Sequence, residues 1–441
     1  MTKVKHGSRF VVWDVEYAIC DVRYVMCGVR RMAGISLTIF FMLLIGTTVV
    51  SAQRVRVGAD VLLEKHLDLL MGKRVGVVCN HTSILSNGTH LVDTLLRRGV
   101  TITALFAPEH GIRGQAAAGA NVENETDART GLPVLSLYGG TKKPTIEMLH
   151  NVDVIVFDMQ DVGARFYTYV STMGYVMMSA SEFDKQMIVL DRPNPINGSD
   201  IEGPVLDMSL ISFLGLIPIP VRHGMTIGEI ANMMVKEGLI NPSSVNLTVI
   251  PMEGWKRTMW FDETALPWIS PSPNMRTLST ATVYPGTCLF EATLFTEGRG
   301  TERPFEYIGA PGVNKDSAAS RLNKLKLPGV TFAPIAFTPK ADPVAAPAPK
   351  FKDKLCEGVY VKVKDRAAYR PVLTGIMMLT TFKQMYPKKF QFKQGLLDRL
   401  VGDTAIGERV LAGTLTRDIM KIFKTDVEHF KKVRKKYLLY R

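Results

Sequence analysis

The sequence contains little cysteine. Five cysteines occur in 441 residues, and only Cys79, Cys288 and Cys356 lie beyond residue 52. Three cysteines at such wide spacing form neither a disulfide framework nor the paired pattern of a structural zinc site. These two kinds of scaffold are therefore excluded, and a chain of this length must rely on a hydrophobic core.

Several common catalytic signatures are also missing. The sequence has no G-x-S-x-G nucleophile turn, no H-E-x-x-H zinc motif, no Walker A loop and no G-x-G-x-x-G after its first predicted strand. The lack of the first two motifs counts against an acyl or amide hydrolase of surface polymers. The lack of the last two counts against a nucleotide-binding domain.

Long apolar runs are absent except near the N-terminus. Residues 35–50 carry no charge but are short for a membrane span. Arg30 and Arg31 precede this run and Val50-Ser51-Ala52 follows it, the pattern of a signal peptide with a small-residue cleavage site. We expect cleavage after Ala52, no stable membrane span afterwards, and an exported protein that is periplasmic or secreted. An uncleaved anchor is the alternative, and residues before Met26 are interpreted as an extension outside the signal peptide.

Acidic residues are outnumbered by basic ones. The chain has 54 Lys and Arg against 41 Asp and Glu, a formal net charge of +13. In residues 421–441, apolar side chains recur at helical spacing with lysines between them, which predicts a docked terminal helix with a solvated basic face. Attraction to an anionic polymer is the alternative. No recognition motif accompanies the charge, so we expect no nucleic-acid partner.

From Gly72 onward, short β-branched apolar runs alternate with helical patterns. This alternation predicts an α/β fold with a Rossmann-like, doubly wound and mostly parallel sheet. The predicted strands are residues 73–80, 102–107, 134–137, 154–158 and 188–191. The predicted helices between and after them are residues 91–98, 146–150 and 226–237, and residues 255–285 are expected to be irregular.

The composition shifts after Gly312, and residues 339–350 form a Pro/Ala-rich loop. An alternating strand over 359–363 and helices over 367–385 and 394–401 follow this loop. We predict a Rossmann-like catalytic domain over residues 53–300. A smaller α+β domain over residues 301–441 is expected to complete the cleft.

Polar residues follow several predicted strands at their carboxyl ends. They are Asn80, Glu109, Asp158 and Asp191. Ligands bind outside the carboxyl ends of strands in open parallel sheets, so we expect these side chains to converge on a binding site.

Glu109, His110 and Arg113 lie in a turn that contains Pro108 and two glycines. Such a turn can hold ionisable side chains over a cleft. Glu109 is a candidate general acid, with His110 as its orienting or proton-sharing partner. The alternative is a Glu–Arg pair that stiffens a loop.

Residues 157–169 form the densest candidate stretch. Asp158 ends a predicted strand, Asp161 follows it closely, and Arg165 and Tyr167 open the next segment. Arginine suits bidentate capture of a carboxylate, and tyrosine offers a ring and a hydroxyl to a sugar. The alternative is an Asp161–Arg165 salt bridge that stabilises the start of a helix.

Two later segments add further binding candidates. Arg192 and Asn194 lie in a proline-rich turn after the strand that ends at residue 191, and the alternative for this turn is a purely structural role. Glu297, Arg299 and Glu302 lie in residues 291–306, which hold four carboxylates, two arginines and two glycines. Such a charged segment is costly unless it surrounds a polar ligand, and its alternative is a solvated loop.

Together these motifs resemble the NamZ-type (YbbC-like) exo-β-N-acetylmuramidases of peptidoglycan recycling. The resemblance runs from about Val57 to the C-terminus. The matching segments are residues 80–82, 108–111, 157–169, 191–195, 270–274, 284–287 and 297–300.

The resemblance implies a Rossmann-like domain, a smaller C-terminal domain and a cleft between them. It also implies hydrolytic release of terminal N-acetylmuramic acid (MurNAc) from the non-reducing end of peptidoglycan fragments such as MurNAc linked to N-acetylglucosamine (GlcNAc), without a metal or organic cofactor. Glu109 would be catalytic, since glycoside hydrolysis usually needs a pair of carboxyl groups. Its candidate partners are Asp158, Asp161, Glu297 and Glu302.

MurNAc carries a lactyl carboxylate that GlcNAc lacks. Arg165, Arg192 or Arg299 would bind this carboxylate and give specificity for MurNAc. The rival hypothesis from another class is a non-catalytic protein that binds peptidoglycan or muropeptides in the same cleft.

Overall fold

The alternation of apolar strands and amphipathic helices folds as an α/β structure in a computed structural model. The structure describes residues 54–109, 111–113, 125–242, 244–414 and 419–441. The predicted signal peptide, its cleavage site after Ala52 and the extension before Met26 lie outside the described residues. His110 lies outside them as well.

Twelve strands are present among the described residues. They are β1 (Arg74–Cys79), β2 (Thr101–Ala107), β3 (Glu125–Thr126), β4 (Pro133–Ser136), β5 (Val154–Asp158), β6 (Gln186–Leu190), β7 (Glu202–Val205), β8 (Pro220–Arg222), β9 (Leu247–Ile250), β10 (Tyr307–Ala310), β11 (Val330–Phe337) and β12 (Cys356–Val363).

The helices connect and cover these strands. They are α1 (Gly58–Lys65), α2 (Leu91–Arg97), α3 (Ile146–Leu149), α4 (Tyr169–Glu182), α5 (Ile227–Lys236), α6 (Leu278–Thr287), α7 (Lys315–Asn323), α8 (Pro371–Met385), α9 (Gln394–Val401), α10 (Thr404–Leu411) and α11 (Ile419–Arg434). Short 3-10 segments occur at Leu67–Leu69, Met208–Leu210, Phe261–Glu263 and Cys288–Ala292. Within the described ranges, none of the helices has the length and apolarity needed to cross a membrane.

The main sheet has seven strands in the order β3-β4-β2-β1-β5-β6-β9. All neighbours are parallel except the short edge strand β3, which pairs antiparallel with β4. Without β3, this is the strand order of a Rossmann fold. Val77 packs into one hydrophobic cluster and Val78 into another, so the sheet is covered on both faces. The predicted α/β class is confirmed.

The C-terminal part of the chain contains a second sheet. Strands β10, β12 and β11 pair antiparallel in that order, and α7 packs against β11 and β12. Strands β7 and β8 form a separate antiparallel pair. A smaller α+β region is thus present, while the predicted boundary at residue 300 stays a prediction.

Residues 255–285 were expected to be irregular. This expectation is wrong for residues 278–285, because α6 begins at Leu278. Thr277 caps this helix by accepting a hydrogen bond from the Thr280 amide. Pro285 lies inside the helix although proline disfavours helix interiors. Close packing of α6 against α8 compensates for this proline. The two helices are so near that a Cβ atom on Gly286 would lie 1.9 Å from the carbonyl oxygen of Pro371, the first residue of α8. Glycine therefore allows α6 and α8 to approach closely.

Helix α11 docks as the sequence predicts. Phe423 and Phe430 are buried, while Lys431 and Lys432 are exposed. Arg434, at the end of the helix, is buried and donates hydrogen bonds to carbonyl oxygens in the β6–β8 region. The C-terminal helix therefore docks against β7 and the loops that flank the β7–β8 pair.

The residues after α11 reach a buried carboxyl group at the end of β6. Asp191 accepts hydrogen bonds from the hydroxyls of Tyr440 (2.5 Å) and Thr226 (2.7 Å) and from the Gly228 amide (2.8 Å). Thr226 also forms a capping box with Glu229 at the start of α5. Burial raises the pKa of Asp191 to about 7, although these donors lower it.

A raised pKa in the folded state makes stability depend on pH. The folded chain keeps a proton on Asp191 that an unfolded chain releases near pH 4. The protonated carboxyl group therefore contributes fully to the free energy of unfolding below pH 4, and this contribution is lost as pH rises toward 7. Because asparagine does not titrate, we expect the free energy of unfolding of Asp191→Asn to rise by up to roughly 4 kcal/mol relative to that of wild type between pH 4 and pH 7. Urea unfolding at several pH values measures the difference, and a constant difference would contradict the prediction.

Candidate active site

A cavity of about 670 Å³ opens at the carboxyl edge of the main sheet. One side is formed by Glu109, which follows β2, and by the start of α4. The other side is formed by residues 297–305 and by residues 345–350 of the Pro/Ala-rich loop. The cavity therefore lies between the Rossmann-like sheet and the C-terminal part of the chain.

Glu109 is held by hydroxyl groups from neighbouring elements. Thr168, the residue before α4, donates a hydrogen bond from Oγ1 to Glu109 Oε2 at 3.1 Å. Tyr138, two residues after β4, also lines the cavity. Burial raises the pKa of the Tyr138 phenol, and the negative charge of the adjacent Glu109 raises it further. These contacts fix the carboxylate at the cavity surface.

Aromatic rings line the cavity next to this carboxylate. Tyr167 meets Tyr169 edge to face at 4.9 Å between ring centroids, and Tyr284 meets Phe305 in the same way at 4.8 Å. Tyr169 is fixed through its hydroxyl, which accepts from Asn80 Nδ2 at 2.8 Å and donates to the Pro271 carbonyl at 2.7 Å. A rigid aromatic surface of this kind suits the apolar face of a sugar ring.

The charged residues lie on the C-terminal side of the cavity. Arg299 Nη2 contacts Glu291 Oε1 at 2.6 Å, and Arg299 Nε lies 3.3 Å from Glu297 Oε1. Lys350 donates to Glu297 Oε2 at 2.9 Å and also to three backbone carbonyls. The two cations and two carboxylates form a neutral network that holds the arginine in place.

Arg299 keeps its charge in this setting. Burial opposes the charge, but the carboxylates of Glu291 and Glu297 outweigh it and raise the pKa of Arg299. The guanidinium carbon lies 5.0 Å from the centroid of the Phe305 ring, and Phe305 adopts a left-handed φ of 64°. Such a backbone conformation costs energy outside glycine and persists where the surrounding structure fixes it. The described contacts use Nε and Nη2, which leaves Nη1 available to a ligand.

The residues that the structure describes include no group of three or more His, Cys, Asp or Glu side chains that could hold a metal ion. The side chains that line the cavity offer carboxylates, hydroxyls, aromatic rings and a guanidinium.

Comparison with known proteins is consistent with this geometry. Residues 75–279 match the family model of the N-terminal part of the exo-beta-N-acetylmuramidase NamZ, and residues 282–440 match its C-terminal part. The chain belongs to the NamZ family of exo-beta-N-acetylmuramidases. It is therefore a glycosidase by class.

Individual known proteins resemble the chain over most of its length. The peptidoglycan beta-N-acetylmuramidase NamZ of Bacillus subtilis is 46% identical over 389 residues, which cover 88% of this chain and 92% of that protein. Crystal structures of two DUF1343 family proteins from Bacteroides fragilis match with TM-scores of 0.81 and 0.71, at 35% and 33% identity. Each match covers 88% of this chain and 99% of the solved chain.

Four of the predicted site residues line the cavity of this NamZ-family chain. They are Glu109, Tyr167, Glu297 and Arg299. They come from opposite sides of the cavity, so the fold brings together the turn after β2, the segment before α4 and the charged segment after α6. Asn80 lies behind this surface and supports it through Tyr169.

Asp158 and Arg192 do not line the cavity. They form a buried bidentate ion pair, with Arg192 Nε 2.5 Å from Asp158 Oδ1 and Nη2 2.8 Å from Oδ2. Each satisfies the other's charge beneath the carboxyl ends of β5 and β6. Of the four strand-end residues expected to converge, Glu109 alone lines the cavity and Asn80 supports its wall, whereas Asp158 and Asp191 have buried structural partners.

Asp161, Arg165 and Asn194 also have structural partners. Asp161 accepts from the Gly163 amide at 2.7 Å. The considered Asp161–Arg165 salt bridge is absent from the described contacts, because Arg165 is buried and donates to three carbonyl oxygens in β7, the segment before β8, and α9. Asn194 donates to the Met225 carbonyl at 2.9 Å and stabilises its own turn.

Arg113 and Glu302 line other cavities. Arg113 pairs with Asp127 in a cavity of about 310 Å³. Glu302 accepts a 3.3 Å hydrogen bond from the Tyr307 hydroxyl in an open cavity of about 540 Å³. Their predicted roles in substrate binding stay predictions.

Several residues of the cavity were not among the predicted ones. Tyr138, Thr168, Glu291 and Lys350 all line it. Tyr138 follows a strand, so the rule that identified Glu109 indicates it as well. Lys350 has no such signal, because it ends a segment whose composition is typical of a loop.

Proposed function

We propose that this chain is an exported exo-acting glycosidase that releases terminal MurNAc from the non-reducing end of peptidoglycan fragments. The observation that carries the proposal is the position of Glu109 on a sugar-sized cavity that also contains Arg299. Family membership and the activity for which the Bacillus subtilis relative is named support the substrate class. The signal-peptide pattern of residues 30–52 supports export.

Glu109 serves as the general acid in this proposal. A glycosidase acid protonates the oxygen of the leaving sugar as the glycosidic bond breaks. The carboxyl group of Glu109 borders the cavity, and Thr168 fixes one of its oxygens. The terminal sugar rests against the aromatic rings, which places its glycosidic oxygen toward Glu109.

Glu291 is the proposed second carboxylate. Among the described carboxylates, Glu291 and Glu297 share the cavity with Glu109. Glu297 is 3% exposed and uses both oxygens on Arg299 and Lys350. Glu291 uses Oε1 on Arg299, so Oε2 remains for a water molecule or the sugar. Its charge also acts on Tyr138, the tyrosine beside Glu109.

Arg299 supplies the proposed recognition of MurNAc. Its Nη1 donors are available, and the surrounding carboxylates keep it charged and oriented. A lactyl carboxylate that binds these donors forms charge-assisted hydrogen bonds, which GlcNAc cannot form. A site built for this group therefore favours MurNAc over GlcNAc.

Product analysis on defined disaccharides tests the proposal. Purified protein is expected to convert MurNAc-GlcNAc to free MurNAc and GlcNAc, and to leave GlcNAc-MurNAc intact because its terminal sugar has no lactyl group. Chromatography with mass detection distinguishes the products. Binding of MurNAc-GlcNAc without turnover would contradict the proposal and favour a non-catalytic binding protein.

A further inference from the structure

A second charged cavity lies on the Rossmann-like side of the chain and has no part in the chemistry described above. It has a volume of about 310 Å³ and is called the arginine cavity here. Its ionisable lining consists of His81, His90, Asp93, Arg97, Arg113 and Arg129. The volume is at the lower end of the range for small-molecule sites.

Two of the three arginines are oriented by carboxylates. Arg113 binds the buried Asp127 through Nε at 3.0 Å and Nη2 at 2.7 Å. Arg129 Nη2 lies 2.9 Å from Asp93 Oδ2. These pairs hold the guanidinium groups in place while leaving other N–H groups available.

The third arginine gives the cavity an excess of positive charge. Arg97 is exposed at the end of α2 and donates to Thr94 Oγ1 at 3.1 Å. In the described part of the chain, no carboxylate forms an ion pair with Arg97. The cavity is thus suited to a group that carries a negative charge.

The arginine cavity is connected to the active-site cavity through hydrogen bonds between two neighbouring segments. His81 lines the arginine cavity, and its Nε2 lies 2.7 Å from the Ser270 carbonyl oxygen. Tyr169 lines the active-site cavity, and it binds both Asn80 and the carbonyl of Pro271. Contacts between residues 80–81 and 270–271 therefore connect a residue that lines the arginine cavity with a residue that lines the active-site cavity.

The short stretch of chain between Glu109 and Arg113 also keeps the two cavities close to each other. Arg113 lies four residues after Glu109, so their Cα atoms are at most about 14 Å apart. A glycan that places its scissile bond at Glu109 can therefore extend to the arginine cavity within a few sugars.

We propose that the arginine cavity is an anion subsite for the lactyl carboxylate of the next MurNAc in a glycan, the second sugar beyond the scissile bond. The inference rests on the proposed function. In glycan strands whose stem peptides have been removed, MurNAc alternates with GlcNAc and a free lactyl carboxylate recurs at every second sugar. Guanidinium groups match a carboxylate in both charge and geometry. The subsite would make the enzyme favour glycan chains over isolated disaccharides.

Two trisaccharides that differ in the third sugar test this inference. Wild type is expected to cleave MurNAc-GlcNAc-MurNAc with roughly tenfold higher kcat/KM than MurNAc-GlcNAc-GlcNAc, because one charge-assisted contact is gained. Arg97→Gln should remove most of this preference and leave kcat/KM on MurNAc-GlcNAc unchanged. Added salt should weaken the preference in wild type.

Arg98→Gln is the matched control. Arg98 follows Arg97 and is exposed, but its contact is to the Leu63 carbonyl and it does not line the cavity. This variant should keep the preference. Equal cleavage of both trisaccharides by wild type, or equal effects of the two substitutions, would overturn the inference.

Calorimetric titration of the same trisaccharides separates this inference from the proposed function. Tighter binding of the MurNAc-terminated trisaccharide that depends on Arg97 supports the subsite whether or not turnover occurs. Loss of MurNAc release from every substrate would instead contradict the proposed function.

Discussion

Glu109→Gln is expected to lower kcat on MurNAc-GlcNAc by roughly 10³-fold, because general acid catalysis typically contributes 10²- to 10⁴-fold. Glutamine keeps the shape of the side chain and can still accept the Thr168 hydrogen bond, so the fold and substrate binding should persist. The loss should be much smaller for an aryl N-acetylmuramide whose leaving group departs without protonation. Steady-state kinetics on both substrates measure the two effects.

Glu302→Gln provides the comparison for this variant. Glu302 carries the same functional group and was a candidate partner from sequence, but it lines the neighbouring open cavity. Its substitution should change kcat by no more than about twofold, as expected for a side chain away from the chemistry. Full activity in Glu109→Gln would rule out Glu109 as the acid, and a similar loss in Glu302→Gln would contradict the placement of Glu302 away from the chemistry.

The main sheet was predictable because its strands are buried on both faces. Such strands are continuous β-branched apolar runs, as in residues 75–79 and 154–157, and a single sequence displays them directly. Strand β11 lacked this signal. It contains Pro334 and alternates between buried and exposed residues at the edge of the second sheet, where proline is tolerated.

The residues at strand ends were predictable as a set, but their individual partners were not. Glu109 and Asp158 occupy equivalent positions after parallel strands, and only the three-dimensional structure shows that Arg192 pairs with Asp158. A buried arginine that binds a carboxylate of its own protein cannot be distinguished by sequence from one that binds a ligand. The same ambiguity applied to Arg165, whose partners are backbone carbonyls distant in sequence.

The C-terminal side of the cavity depends on contacts between distant segments. Lys350 reaches Glu297 and the carbonyls of residues 290, 291 and 295. Gly300 permits this packing, because a Cβ atom there would lie 2.4 Å from the Lys340 carbonyl oxygen. Composition identified residues 339–350 as a loop, and only the fold places this loop in the wall of the cavity.

Arg299→Lys is expected to lower kcat/KM on MurNAc-GlcNAc by roughly 100-fold. Lysine retains the positive charge that Glu291 and Glu297 require, but it lacks the planar fork that contacts both carboxylates and leaves Nη1 for the substrate. The loss should be mainly in KM and should shrink when the lactyl carboxyl of the substrate is converted to an amide. Kinetics with both substrates measure this dependence.

Arg303→Lys is the matched control, because Arg303 lies in the same segment and pairs with Glu306 without lining the cavity. It should retain nearly wild-type kinetics, and thermal unfolding should show both variants folded. If Arg299→Lys lost the same activity on the acid and the amide, the guanidinium would support the cavity through Glu291 and Glu297 rather than bind the lactyl group. Specificity for MurNAc would then have to come from another part of the cavity.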